Sequence, residues 1–315
     1  MQDVVVVTIN YRLHALGFIS IPSLKINGNA GLKDQQMALE WVKENISSFN
    51  GDPDKICLFG ESAGGVSTHL QVLNQKSRNL ISSAVCQSGN ALINWGYLKD
   101  AEEKTRRLAK KMGAVGKSDQ DILDALMKAP LDKMFMSIQY IQDPDDVRRS
   151  LPLVFKPCVE RGSIDAFMTE ESIDLIRMQE DKINIPMIFG CNSLDGSTMS
   201  VYYRKNLNIY RDDPVKMIPQ TVNIHPMSEE AQELGKRISY LYFGKDGPTL
   251  ENFDKFIDLN TDFYFTVTQM ICRNLNIKYQ KNLKQFFYHF DYDGELSFLK
   301  RALKIEKYKG AAHFD

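Results

Sequence analysis

Gly60-Glu61-Ser62-Ala63-Gly64 places a serine between two glycines, directly after the apolar run at 55–59 and directly before a helical pattern. In that context G-x-S-x-G describes a strand-to-helix turn that lifts a serine hydroxyl above the end of a sheet. Such a turn holds Ser62 in a strained backbone conformation. Glycines two residues away on either side let strand and helix approach without Cβ clashes. The Ala63 N–H then sits at a helix N-terminus, where the dipole stabilises a developing oxyanion. Ser62 is the candidate nucleophile and the Ala63 amide the candidate oxyanion donor. A structural glycine-rich turn is the plain alternative.

A serine nucleophile needs a base, and the base needs a carboxylate to orient it. In a sheet enzyme of this kind the order along the chain is serine, acid, histidine. Two of the five histidines come late enough, His289 and His313. His289 lies within the aromatic run 286–290 and reads as a face-packing residue. His313 follows Gly310-Ala311-Ala312, where a mobile, exposed imidazole could reach back to Ser62, and it is the favoured base. The loop after the apolar run 187–190 offers Asp195 as the acid, at the carboxyl end of a strand where α/β enzymes place functional groups. An ordinary turn-capping aspartate is an equal reading from position alone.

The elements that must carry these residues alternate. Residues 4–9, Val-Val-Val-Val-Thr-Ile, read as a buried parallel strand. Residues 34–46 carry Met37, Ala38, Trp41, Val42 and Ile46 at helical spacing. Short strands are expected at 55–59, 84–86, 187–190 and 286–290, separated by helical stretches, which argues for a parallel sheet with crossover helices. No repeat, low-complexity tract or linker divides residues 1–315, which read as a single domain.

Composition narrows the function. With 39 basic and 40 acidic side chains the net charge is −1, which leaves no electrostatic footprint for nucleic acid or an anionic membrane surface. No apolar run is long enough to span a bilayer. The five cysteines are widely spaced, with no Cys/His cluster. Neither a disulfide framework nor a metal site is expected, and buried free thiols are.

The chain resembles type-B carboxylesterases and cholinesterases. The resemblance rests on Asn29-Ala30-Gly31-Leu32-Lys33-Asp34-Gln35, Ala38-Leu39, Trp41-Val42, Asn45-Ile46, Phe49, Gly51-Asp52-Pro53 and the turn around Ser62. Asn10-Tyr11-Arg12-Leu13, Ala15-Leu16-Gly17-Phe18 and Gln87-Ser88-Gly89 belong to the same signature. Asp262-Phe263-Tyr264-Phe265 and the segment Tyr288-His289-Phe290-Asp291-Tyr292-Asp293 echo the insect α-esterases. The resemblance implies an α/β-hydrolase fold, a mostly parallel sheet with crossover helices. It carries the nucleophile onto Ser62, the acid onto Asp195 and the base onto His313. It implies a carboxylic ester hydrolase working through an acyl-enzyme on small-molecule esters, with no cofactor. Trp95, Phe155 and Phe265 are expected near the acyl and alcohol pockets, ordinary core being the bland reading for each.

The sequence also departs from the family pattern. The usual acid is Glu, and the shorter Asp195 predicts a longer bond to His313 or a shifted loop. His14 stands where relatives carry Gly. The family's His-Gly-Gly-Gly segment, source of the other oxyanion amides, does not occur in the chain. Both ends read as cut, so the domain is expected to be incomplete, N-terminal strands and a C-terminal portion being missing, and to fold poorly alone. The rival readings are an inactive fragment and a non-catalytic cholinesterase-like protein. The half-cystine positions of secreted relatives fall near Ala114 and Ala125, which favours an intracellular, reducing setting.

Overall fold

The computed structural model describes residues 4–116, 118–149, 153–220 and 222–315. Six strands are present among them: β1 (Ser20–Ile21), β2 (Ile26–Asn27), β3 (Cys57–Glu61), β4 (Ser83–Gln87), β5 (Met187–Asn192) and β6 (Gln285–Phe290). β1 and β2 form a small antiparallel ladder, and β3-β4-β5-β6 form one sheet in that order. Every pairing in the larger sheet is parallel, with Glu61 opposite Gln87, Gln87 opposite Gly190, and Asn192 opposite Phe290. Parallel neighbours need long crossovers. Here these include the helices Ala63–Leu73, Ala101–Lys111 and Val267–Tyr279.

The chemistry of the first crossover is legible residue by residue. The helix Ala63–Leu73 turns Val66, Leu70 and Leu73 inward, where they meet Ala84 and Cys86 of β4 and Phe189 of β5 in the main core. A second core gathers Leu194, Tyr210, Phe243, Phe253, Phe256 and Ile257. Because Leu194 belongs to it, the loop that carries Asp195 is pinned by apolar packing rather than left free. The long helical excursion between β4 and β5 has a charged anchor. Lys104, with a side chain only 1% exposed, sits 2.6 Å from Asp146 and 3.5 Å from Asp100 and also touches Asp143.

Three expectations are corrected. Residues 4–9 join no sheet: among the described residues their backbone makes no hydrogen bond, and Val4 and Val6 are 71% and 69% exposed. Their β-branched composition favours a strand, but a strand exists only where a neighbour supplies N–H and C=O groups. Cys57 is exposed rather than buried. It lies on β3, an edge strand, whose Phe59 is exposed as well. The helix expected at 34–46 starts earlier, at Ala30, after Asn29 in the left-handed region.

His14 is the oddest residue of the fold. Its φ of 54° lies where a side chain is strained, and both ring nitrogens are buried without a hydrogen-bond partner among the described residues. The ring is held between Phe135 at 4.7 Å and Phe155 at 5.1 Å, and burial lowers its pKa. His14→Gly should therefore stabilise the protein by about 1–3 kcal/mol, through relief of backbone strain and of the unpaired ring atoms. The folded state resists protonating this ring whereas the unfolded chain does not. The advantage of the glycine variant should thus widen as pH falls below 6.5, the ordinary histidine value. Chemical denaturation at two pH values measures both effects. A destabilised variant would mean that the imidazole's packing between the two phenylalanines outweighs its strain.

Candidate active site

The four parallel strands of the main sheet end at the same edge, where Ser62 follows β3 and Asp195 follows β5. Ser62 follows β3 immediately and precedes the helix Ala63–Leu73, with φ 57° and ψ −118°. Its N–H donates to the Gln87 carbonyl at the end of β4 (2.8 Å), and its carbonyl accepts from Val66 (3.1 Å). The hydroxyl makes no capping bond to its own helix. Ala63 is exposed at the first helical position, so its N–H is among those without a partner inside the helix. The two glycines of the motif are not equivalent. A Cβ on Gly60 would lie 2.4 Å from the Gly64 backbone, whereas a Cβ on Gly64 would meet nothing within 4 Å. The tight turn demands the first glycine sterically and not the second.

Asp195 and His313 are brought together directly. His313 Nδ1 lies 2.7 Å from Asp195 Oδ1, and the other carboxylate oxygen accepts from the Asn192 N–H at 2.8 Å. The short side chain reaches its partner at ordinary hydrogen-bond length, so of the longer bond or shifted loop expected of Asp the longer bond is not found. The reason lies in the loops. Leu194 pairs with Ala312 in an isolated parallel bridge, Leu194 donates to the Ala311 carbonyl, and the Asn192 side chain donates to the Ala312 carbonyl. Ser193 Oγ accepts from the Ala311 N–H. These bonds hold the two loops against each other, within reach of the short side chain.

His313 is only 2% exposed, not the mobile surface imidazole that its Gly-Ala-Ala context suggests. Phe265 packs over it with ring centroids 5.0 Å apart, and Phe314 with 4.4 Å. Its second nitrogen, Nε2, stands 2.9 Å from Glu61 Oε1, a residue that sequence reasoning passed over as the variable position of the motif. Burial would lower the His313 pKa, but hydrogen bonding and charge from Asp195 and Glu61 outweigh it and push the group up to about 9. His289, the rival base, is exposed beside a cavity of about 480 Å³ shared with Tyr242, Asp258 and Asp262.

The aromatic candidates divide. Trp95 and Phe265 are buried against each other edge-on (6.1 Å), and Trp95 Nε1 donates to the Tyr264 carbonyl. Through Phe265 this pair borders His313. Phe155 is buried too, but its ring neighbour is His14. Among the described residues no group of His, Cys, Asp and Glu could hold a metal ion.

The chain as a whole has counterparts among known proteins. A model of the carboxylesterase family matches residues 1–315. The chain belongs to that family. A carboxylic ester hydrolase of Bombus ignitus is 32% identical over 89% of the chain and 48% of that protein. Human bile salt-activated lipase is 29% identical over 99% of the chain and 40% of its own length. The chain thus spans about half the length of the curated relatives it matches. The crystal structure of juvenile hormone esterase from Manduca sexta, with OTFP covalently attached, superposes with a TM-score of 0.79. It is 24% identical and covers 96% of the chain and 56% of that structure. The fold of this carboxylesterase-family chain is the α/β-hydrolase fold. None of its helices among the described residues is long and apolar enough to cross a membrane.

Proposed function

We propose that this chain carries the catalytic half of a carboxylic ester hydrolase, with Ser62 as nucleophile, His313 as general base and acid, and Asp195 as the orienting carboxylate. The observation that carries the reading is the buried His313–Asp195 pair beside the strained turn at Ser62. Asp195 accepts the Nδ1–H and so fixes the tautomer in which Nε2 can take the Ser62 proton. Ser62 Oγ then bonds to the ester carbonyl carbon, and the charge that develops on the oxygen is met by the Ala63 N–H. The proton on His313 passes to the departing alcohol, leaving an acyl-enzyme. Water, deprotonated by the same imidazole, releases the acid and restores Ser62.

Trp95 and Phe265 make the neighbourhood of His313 apolar, which favours neutral small-molecule esters over charged ones. All five cysteines are free thiols, which supports an intracellular, reducing setting. The site as drawn has one amide donor where acyl transfer commonly uses two or more. Loss of one donor costs about 10²–10³ in rate, so slow turnover is expected of this chain by itself.

The test is covalent. Intact mass after exposure to a fluorophosphonate should show a single adduct that is absent from Ser62→Ala. Folded, soluble protein that takes no adduct would refute the nucleophile assignment for this chain.

A further inference from the structure

His69 is fully buried on the helix Ala63–Leu73, which Ser62 precedes, and the chemistry described so far gives it no part. Its Nδ1 accepts the Ala91 N–H at 3.1 Å, the one acceptor that N–H finds among the described residues. A backbone N–H can only donate, so Nδ1 carries no hydrogen and a neutral ring bears it on Nε2. Burial lowers the His69 pKa to about 4, which keeps the ring neutral in ordinary buffers. The Cys272 thiol, 4.0 Å from Nδ1, is held protonated by burial too. Nε2 is buried with no partner among the described residues, an unfavourable state for a donor. Phe189 packs edge-on against the ring at 5.3 Å. An apolar side chain would fill this space without the orphaned N–H. What the imidazole adds is an acceptor for the loop after β4.

That loop bears on the turn at Ser62. The Ser62 N–H donates to the Gln87 carbonyl at 2.8 Å, and a Cβ on Gly89 would stand 2.1 Å from the Ser62 carbonyl oxygen. Ser88 between them has φ 50°, a conformation that persists only where its surroundings hold it. The helix approaches the loop at Gly65, where a Cβ would stand 2.9 Å from the Gln87 oxygen and 3.0 Å from that of Gly89. His69 lies four residues beyond Gly65, on the same helix face. Gly65 therefore lets the loop come close, and His69 ties it there. We propose that His69 is a positioning residue for the ester hydrolase site, clamping the loop after β4 to the helix Ala63–Leu73 through the Ala91 N–H and so holding the turn at Ser62. The kinetic part of this proposal rests on Ser62 as nucleophile.

Two substitutions in the whole chain separate the acceptor from the bulk of the ring. In His69→Asn the side-chain oxygen stands near the place of Nδ1 and can accept the Ala91 N–H, whereas His69→Leu offers no acceptor. Fluorophosphonate labelling of Ser62 should slow about 10²-fold in His69→Leu, the loss that displacing a reacting group by an ångström brings, and recover to within about threefold of wild type in His69→Asn. Leucine fills the core better than asparagine, so a role in packing alone predicts the reverse order. A folded His69→Leu that labels at the wild-type rate overturns the proposal, as does a His69→Asn no faster than His69→Leu. Should His69→Leu fail to fold, NMR of the wild type decides. The ring hydrogen should lie on Nε2, and a coupling across the hydrogen bond should link the Ala91 nitrogen to Nδ1. A hydrogen on Nδ1, or no such coupling, overturns the proposal. Absence of labelling in the wild type would count against the nucleophile reading alone. The clamp is then read from the Ser62 and Gly89 amide signals, which should shift in His69→Leu and return in His69→Asn; signals unmoved by either substitution overturn it.

Discussion

Asp195→Asn is expected to slow ester hydrolysis about 10⁴-fold while leaving the chain folded, the size of loss that a wrong histidine tautomer produces. Asp195 is fully buried, and each of its oxygens has one partner, Nδ1 of His313 and the N–H of Asn192. An asparagine can keep its carbonyl on the Asn192 N–H, so the loop holds. Its amide then faces Nδ1 with a donor instead of an acceptor. Nδ1 must give up its hydrogen, the hydrogen moves to Nε2, and the nitrogen that should receive the Ser62 proton is already occupied. Comparing p-nitrophenyl ester turnover and thermal melting in the two proteins separates this from unfolding. A loss smaller than tenfold in a folded variant would show that Asp195 does not orient the base. Asp195→Glu, the family's usual acid, is not a neutral alternative here. The loops are already drawn to the shorter side chain, and an extra methylene in a fully buried site costs about 1–3 kcal/mol.

The parts of this molecule that the sequence makes legible are those whose causes are local. The apolar run before Gly60, the serine between glycines and the helical spacing after it lie within about twenty residues, and they predict β3, the turn and the helix Ala63–Leu73 together. What failed were properties set by distant neighbours. His313 follows two alanines and a glycine, which signal an exposed loop. Its burial comes from Phe265 and from bridges to 192–194, more than a hundred residues earlier. The same bridges explain why the short Asp195 reaches its partner. Residues 4–9 have the composition of a central strand, but strand formation needs a pairing partner that composition cannot supply. Glu61 was invisible for another reason. The motif names its position as variable, and only the arrival of His313 beside it gives its charge a role.

Gly89→Ala should damage the site from outside the motif, lowering reactivity towards the fluorophosphonate about 10²-fold, whereas Gly64→Ala should leave the fold intact. A Cβ on Gly89 would stand 2.1 Å from the Ser62 carbonyl oxygen and 3.1 Å from the Val66 nitrogen, backbone atoms that cannot rotate away. The loop after β4 or the turn itself must then move by about an ångström. A displacement of that size at a reacting group is worth about 10² in rate. Overpacking of this kind also costs about 1–3 kcal/mol of stability. Gly64 is the control, because its Cβ would occupy open space and it lies in the helix Ala63–Leu73. There alanine is the better helix former by about 1 kcal/mol, so this variant should melt at the wild-type temperature or above. The two substitutions insert the same methyl group on either side of Ser62, one against backbone and one into space. Equal melting temperatures and equal labelling in both variants would mean that contact between the loop after β4 and the Ser62 backbone does not hold the turn in place.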